Sequence, residues 1–474
     1  MKIIAKSLIR KKNYSNFLLV LFFFVFQFAC AQIERSNSGW GQLDGILEKI
    51  NSPVFQNKNF SITDYGAVGD GVTDCTDAFK KAIEDCSKNG GGKIVVPRGE
   101  FLTGAIHLKS NVNLYVSEGA VVKFSTDKSK YLPVVYTRWE GVECMNYSPL
   151  IYAYGQENIA VTGKGILDGQ GSNDSWWSWK GKTDYGWKKG MPNQDEARNK
   201  LQDMVEKNVP VEKRIFGEGS YLRPNFIQPY KCKNVLIEGV TFKNSPMWFI
   251  HPVLSENVSI INVTVAGLGP NNDGCDPECC KDILIKGCSF NTGDDCIAIK
   301  SGRNTDGRRV NVPSENIVIQ DCKMRDGHGG VVIGSEVSGG IRNVFAENCE
   351  MSSPNLDRAI RIKTNSIRGG TIENIFVRKI KIGQIGEAVV KINFFYEEGD
   401  AGEFTPIVRN IDIENLTSER SNYAIWIKAY KRSPANNIEI KDCVFKNVKK
   451  ENVIENVEKM KLESVSINGK QQNE

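Results

Sequence analysis

One short pattern returns along most of this chain. It begins with Asn or Asp, then an aliphatic residue, any residue, a second aliphatic, and after a turn another apolar pair. It reads SNVNLYV at Asn111, ENIAVTG at Asn158, KNVLIEGVTF at Asn234, ENVSIINVTV at Asn257 and KDILIKGCSF at Asp282. Further copies start at Asn316, Asn343, Asn374, Asn410 and Asn437. From Asn234 onward the intervals run from 23 to 36 residues, the period of solenoid repeats. Each unit holds short alternating runs rich in Val and Ile, broken by Gly, Asn and Asp. Most units have no room for a long helix. Short strands at a coil-length period predict an all-β chain folded as a right-handed parallel β-helix. Inward aliphatic residues would stack into one core, and the repeated Asn would form a ladder at the turns. A leucine-rich solenoid lacks its signature here.

Two segments depart from the repeat. Between Asp74 and Ser87, Cys75, Ala78, Phe79, Ala82, Ile83 and Cys86 fall on one helical face. Asn89 and three glycines then stop the helix. A solenoid end exposes unpaired strand edges, so this helix is expected to cap the first coil. The segment 168–224 carries Trp176, Trp177, Trp179 and Trp187 among many charges, with a short helix near Asp195–Val205. It is expected to be a long insertion over one face, where binding surfaces form. Its aromatics either stack on sugar rings or pin the insertion to the body.

The N-terminus reads as a secretory signal covering residues 1–31. Lys2, Lys6, Arg10, Lys11 and Lys12 precede an apolar run from Phe17 to Phe26, and Ala29-Cys30-Ala31 supplies small residues before Gln32. The run is short for a membrane span. Gln27 and Phe28 argue against a lipid on Cys30. An extension, 32–59, and a single catalytic domain, 60–474, are expected to follow, secreted and monomeric. Without the signal the chain carries 56 basic and 56 acidic residues. That balance excludes a nucleic-acid partner, which needs a basic face. With three histidines, thirteen cysteines and no repeated C-x-x-C pairs, neither a metal nor a cofactor is expected. Cys288, Cys322, Cys349 and Cys443 occupy matching repeat positions and read as buried thiols.

Chemistry-bearing residues gather in four successive units. Asn271-Asn272-Asp273 is followed by Gly293-Asp294-Asp295, then Gly327-His328-Gly329, then Arg361-Ile362-Lys363. Residues one coil apart are neighbours, so these form one surface patch. Glycoside hydrolysis needs a protonated carboxyl for the leaving oxygen and an ionised one for water. Crowded carboxylates raise the pKa of at least one member by like-charge repulsion. Arg and Lys beside them suit an acidic sugar.

These motifs together resemble glycoside hydrolase family 28, the polygalacturonase family, over about Phe60 to Val448. Asn271-Asn272-Asp273 is similar to its N-T-D, and the next three to its G/Q-D-D, G-H-G and R-I-K. Tyr396 fits the tyrosine that follows them. The resemblance implies inverting hydrolysis of α-1,4-galacturonosyl bonds in pectin, with Asp294 as general acid and Asp273 and Asp295 holding water. His328 would tune the carboxylates; Arg361, Lys363 and Tyr396 would hold the substrate sugar. Asn272 departs from the usual Thr. Lys300 stands where many members carry Asn, and is expected to bind a second substrate carboxylate. Trp248 and His251 are expected on the cleft floor; His107 reads as structural. An insertion closing one end of the cleft would favour cutting at chain ends. Rhamnogalacturonan or another uronan is the alternative substrate. A calcium-dependent pectate lyase and a non-catalytic glycan-binding solenoid are the more distant alternatives.

Overall fold

The asparagine that opens each repeat sits where the backbone turns left-handed. φ is 53° at Asn158, 58° at Asn316 and 55° at Asn437, a region Asn tolerates better than most residues. The computed structural model describes residues 39–472; the expected signal, with Cys30, lies outside them. The side-chain amides stack as a ladder. Asn158 Nδ2 donates to Asn111 Oδ1 at 3.0 Å, and Asn234 and Asn257 continue it at 2.9 and 2.7 Å. A second run climbs from Asp282 through Asn316, Asn343, Asn374 and Asn410 to Asn437. The two runs part at Asp282, which has a carboxyl in place of an amide and so no N–H to donate to Asn257. Asn257 Oδ1 instead accepts the Asn51 backbone N–H at 2.9 Å, tying down the strand-free stretch before Asn59.

Between the turns the chain builds parallel sheets. One has thirteen strands, from Asn59–Ser61 to Val457–Glu463, and another fourteen, beginning at Asp70–Asp74. The third side starts with three strands ending at Ile227–Tyr230 and resumes with six from Ile297–Ile299. Single bridges Ile227–Ile250, Ile250–Cys275 and Cys275–Ile297 join the two parts. Registers are aligned, so like side chains stack: Val258, Ile283, Ile317, Val344, Ile375, Ile411 and Ile438 follow one another through the core, all buried. Burying each such side chain contributes about 1.5–3 kcal/mol. Each coil adds a similar row, so the core of the β-helix grows coil by coil. The architecture is the right-handed parallel β-helix expected.

The helix Thr76–Lys88 covers the first coil and buries the expected stripe. At the other end Lys470–Gln472 turns back antiparallel on Val465–Ile467, which covers part of the last edge. All twelve described cysteines are buried and unbridged. Residues 39–46 group by themselves, a 3-10 turn at Gly39–Gln42 entering the helix Leu43–Leu47; the β-helix lies in 47–474.

Two excursions interrupt the coils. The insertion contains the helix Asp195–Glu206, which buries Ala197, Leu201 and Val205. Its tryptophans pin it to the body. Trp176 is fully buried against Tyr131, Trp177 Nε1 donates to Ser245 O at 2.9 Å, and Trp179 packs on Tyr147, Trp176 and Tyr221. Trp187 donates to Met191 O within the insertion. The other excursion is an antiparallel hairpin, Val135–Trp139 with Val142–Asn146, which the repeat analysis does not anticipate. Hairpin and insertion share an apolar cluster that includes Trp139, Val142, Leu201, Val205, Met247 and Trp248.

Candidate active site

Backbone bonds between coils bring the motifs together. Phe249 N donates to Asp273 O, Gly274 N to Asp295 O, and Cys296 N to Gly329 O, at 2.8–2.9 Å. On the strand Arg358–Lys363, Ile360 and Ile362 pair with Val331 and Ile333 and are buried in the core. Side chains alternate along a strand, so Arg361 and Lys363 both face outward. Asn272 is fully buried and staples the turn before Asp273: its Oδ1 accepts Gly269 N, and its Nδ2 donates to Ser245 O and Met247 O. This is why Asn serves in place of Thr there. Gly327 holds φ 137°, and a Cβ would stand 2.3 Å from Asp294 O; only glycine lets the His328 loop come this close.

One oxygen from each of Asp273, Asp294 and Asp295 lies within 4.8 Å of the others. Each carboxylate has a different cation. Asp294 Oδ1 meets His328 Nδ1 at 2.9 Å. Asp295 is fully buried, with Arg361 at 3.2 Å on one oxygen and Lys363 at 2.6 Å on the other. Asp273 Oδ2 lies 3.5 Å from Lys300. The consequences differ. Burial, and then the charge of Asp294, push Asp273 up to about 7. Burial also pushes Asp294 up, but the hydrogen bond and charge of His328, with Lys363 and Lys300, outweigh it and hold Asp294 well below the usual carboxylate range. The same bond raises His328 to about 9. At neutral pH the proton of this pair therefore sits on His328 beside an ionised Asp294, while Asp273 holds its proton to far higher pH than an ordinary carboxyl. The ammonium and guanidinium groups around the trio oppose a divalent cation, although three carboxylates are otherwise suitable donors.

Two expected contacts need correction. Lys300 is buried, its ammonium 3.5, 3.4 and 3.2 Å from Asp273, Asp276 and Glu336 and 4.4 Å from the centre of the Trp248 ring. It is committed to protein carboxylates rather than free for a substrate. His251 is completely buried and bonded to Glu278, Asn225 and Gln228, so it is structural. Trp248 is largely buried and lines the pocket with its ring under the Lys300 ammonium. His107 meets Ser148 at 3.0 Å, away from the trio, as expected. Tyr396 stacks 5.5 Å from the Arg361 guanidinium and 5.2 Å from the Lys363 ammonium.

Other residues of the site were not anticipated. The pocket around Asp273 and Asp294 has a volume of about 100 Å³ and is also lined by Glu140, Lys180, Arg198, Arg303, Glu336 and Glu397. Glu140, at the hairpin tip, pairs with Arg198 at 2.8 Å and Arg303 at 3.5 Å. Arg303 reaches on to Glu397 and Glu398 at 3.7 and 3.5 Å. This belt joins the hairpin to the loop that carries Tyr396. The insertion is seated on Gly269, where a Cβ would stand 2.3 Å from the Trp177 ring. Gly269→Ala is expected to cost about 1–3 kcal/mol through overpacking, and to raise KM as the pocket wall shifts. Urea unfolding and steady-state kinetics read both; an unchanged midpoint would show that the seat is not tight.

A carboxyl poised near neutrality, a second carboxylate exposed to a cleft beside an imidazolium, and a third held by two cations define a glycoside hydrolase on a β-helix scaffold. The chain belongs to glycosyl hydrolases family 28, whose family model matches residues 213–466. Residues 59–126 match a second model, rhamnogalacturonase A/epimerase, pectate lyase-like. A solved hyperthermoactive exopolygalacturonase from Thermotoga maritima is 49% identical, with TM-score 0.88 over 90% of this chain and 96% of that one. A probable polygalacturonase of Vitis vinifera is 29% identical over 79% of this chain and 71% of its own length. An exo-poly-alpha-D-galacturonosidase of Dickeya chrysanthemi is also 29% identical, over 78% and 64%.

Proposed function

We propose that this enzyme is secreted and cleaves α-1,4-galacturonosyl bonds from the ends of polygalacturonan chains, with inversion. The observation that carries this reading is the pairing of an acid–base carboxylate trio with outward Arg361 and Lys363 beside Tyr396, in a pocket walled by the hairpin and the insertion. The cations suit a uronate carboxylate. The wall stands on coils preceding Asp273, which supports closure of that end of the cleft. The relatives described above as exo-acting enzymes support the same mode.

The chemistry follows from the site. Asp294 is the most exposed carboxyl of the trio, with an 18% exposed side chain; it takes the proton of the His328 imidazolium across the Nδ1–Oδ1 hydrogen bond and delivers it to the glycosidic oxygen as that bond breaks, leaving His328 neutral and Asp294 ionised. Water held between Asp273 and Asp295 adds to the anomeric carbon and passes its proton to ionised Asp273. A carboxylate titrating near 7 is a well-matched base. Solvent then carries that proton away and reprotonates His328.

The carboxyl oxygens are closer than the roughly 6.5–9.5 Å usual between inverting pairs, so the product anomer is the direct check. Digestion of polygalacturonate followed by proton NMR should show monogalacturonate appearing first as the β anomer, and new reducing ends without unsaturated-uronate absorbance. First-formed α anomer would mean retention. Chelator-sensitive absorbance would mean elimination by a lyase. Release of reducing ends from rhamnogalacturonan alone would move the substrate assignment. N-terminal sequencing of protein recovered outside the cytoplasm, expected to start near Gln32, tests secretion.

A further inference from the structure

We propose that Lys180, on the insertion, receives the carboxylate of the sugar at the chain end and so makes a terminal uronate the preferred substrate. This rests on the galacturonan reading above. Lys180 lines the same pocket as Asp273 and Asp294. The other lining cations have protein carboxylates within 4 Å: Arg198 and Arg303 share Glu140, Lys300 has three partners, and Lys363 holds Asp295. Among the described residues, Lys180 is the only cation lining this pocket without such a partner. Glu140, the acid that acts on it most strongly, is already taken by the two arginines.

A second unbalanced positive charge lies behind it. Arg223 is fully buried, and its guanidinium donates only to neutral oxygens: Gln194 Oε1, the carbonyls of Pro246 and Pro270, and Asn271 Oδ1. A buried cation with no counter-ion is costly. A ligand carboxylate arriving at Lys180 would offset that cost, and burial already disfavours the charged form of the empty Lys180 ammonium. The position is also rigid. Lys180 ends the 3-10 turn Trp177–Lys180, Gly181 follows at φ 77°, and Trp177 and Trp179 anchor the turn to Ser245 and Gln194.

The placement divides the work. Arg361, Lys363 and Tyr396 come from coils after Asp294, whereas the insertion leaves the solenoid before Asp273. Galacturonan carries a carboxylate on every unit, so the sugars on the two sides of the scissile bond each need a cation. Arg361 and Lys363 each give one hydrogen bond to Asp295 and keep further N–H donors for the sugar on one side, unlike Lys300 with its three carboxylates; Lys180 serves the other side.

Lys180→Met and Lys180→Arg, compared with wild type on trigalacturonate, test this. Two analogues, carrying neutral galactose at one end or at the other, complete the set. Lys180→Met should raise KM for trigalacturonate roughly 10- to 100-fold, the effect of losing one charge-assisted hydrogen bond, with kcat little changed. Lys180→Arg should recover most of the affinity. One analogue should bind wild type as weakly as trigalacturonate binds Lys180→Met, and on that analogue the substitution should add nothing. An unchanged KM, or an equal rise on all three substrates, would overturn the inference while leaving hydrolysis intact. Wild-type failure on every uronate substrate would remove the underlying reading, and this inference with it.

Discussion

Asp294→Asn is expected to lower kcat on polygalacturonate by about three orders of magnitude while leaving KM nearly unchanged. Removal of a general acid typically costs about 10²–10⁴. The amide keeps the shape of the carboxyl but carries no transferable proton. Arg361, Lys363 and Tyr396 hold one another and Asp295, not Asp294, so binding should survive. The imidazole provides an independent readout. The hydrogen bond and charge of Asp294 lift His328 from 6.5 to about 9. The chain has three histidines, and burial keeps His107 and His251 below the ordinary value. One imidazole resonance should therefore titrate high in wild type and fall toward 6.5 in Asp294→Asn. A raised imidazole contributes stability that is full below about 6.5 and is lost as pH rises through about 9, and the variant should lose this dependence. Retained activity would remove Asp294 from the acid role. An unmoved imidazole would mean that His328 is charged by something other than this bond.

What the sequence revealed about the fold follows from how a solenoid stores information. Each coil carries its own left-handed Asn and its own inward aliphatics, so the pattern could be read locally and many times over. Coil spacing also placed Asp273, Asp294, His328 and Arg361 together. It failed for partners whose coils differ in length. Glu336 lies 36 residues from Lys300, against 27 for Asp273, and the ion pairs that occupy Lys300 depend on that variable register. Lys300 therefore looked free for substrate when it was not. The hairpin was missed although it had a signal: Glu140-Gly141 joins two apolar runs with φ 43° and 83°, the positive pair of a tight two-residue hairpin turn. The pocket wall is least legible of all. Glu140, Lys180 and Arg198 come from non-repeating segments, where no coil register relates one residue to another.

Lys300→Met should destabilise the fold by about 3–5 kcal/mol near pH 8, the usual cost of breaking a buried pair from one side. Met matches the stem of Lys, so packing under Trp248 is preserved and the effect isolates the charge. Three carboxyls then lose their shared cation: Asp273, Asp276 and Glu336, all buried. Asp276 already has both oxygens without a hydrogen bond, and burial with the charge of Asp273 pushes it well above the usual carboxylate range. The pH dependence comes from the other two. Burial pushes Glu336 up, but Lys300 and Arg303 overcome it and hold the carboxyl below the usual range. That depression contributes stability above the unfolded value, which is lost as pH falls. Asp273 behaves in the opposite way: raised to about 7, it favours the fold below its unfolded value and less so as pH rises through 7. Removing Lys300 moves both carboxyls upward. The variant should therefore lose most stability above neutrality and least near about pH 4, where both carboxyls can be neutral. Urea unfolding of wild type and variant at the two pH values gives the difference directly. An equal loss at both would assign Lys300 a packing role. A loss confined to high pH, together with a kcat profile whose acidic limb moves to higher pH, would establish Lys300 as the cation that keeps Asp273 ionisable at the pH where it must accept a proton.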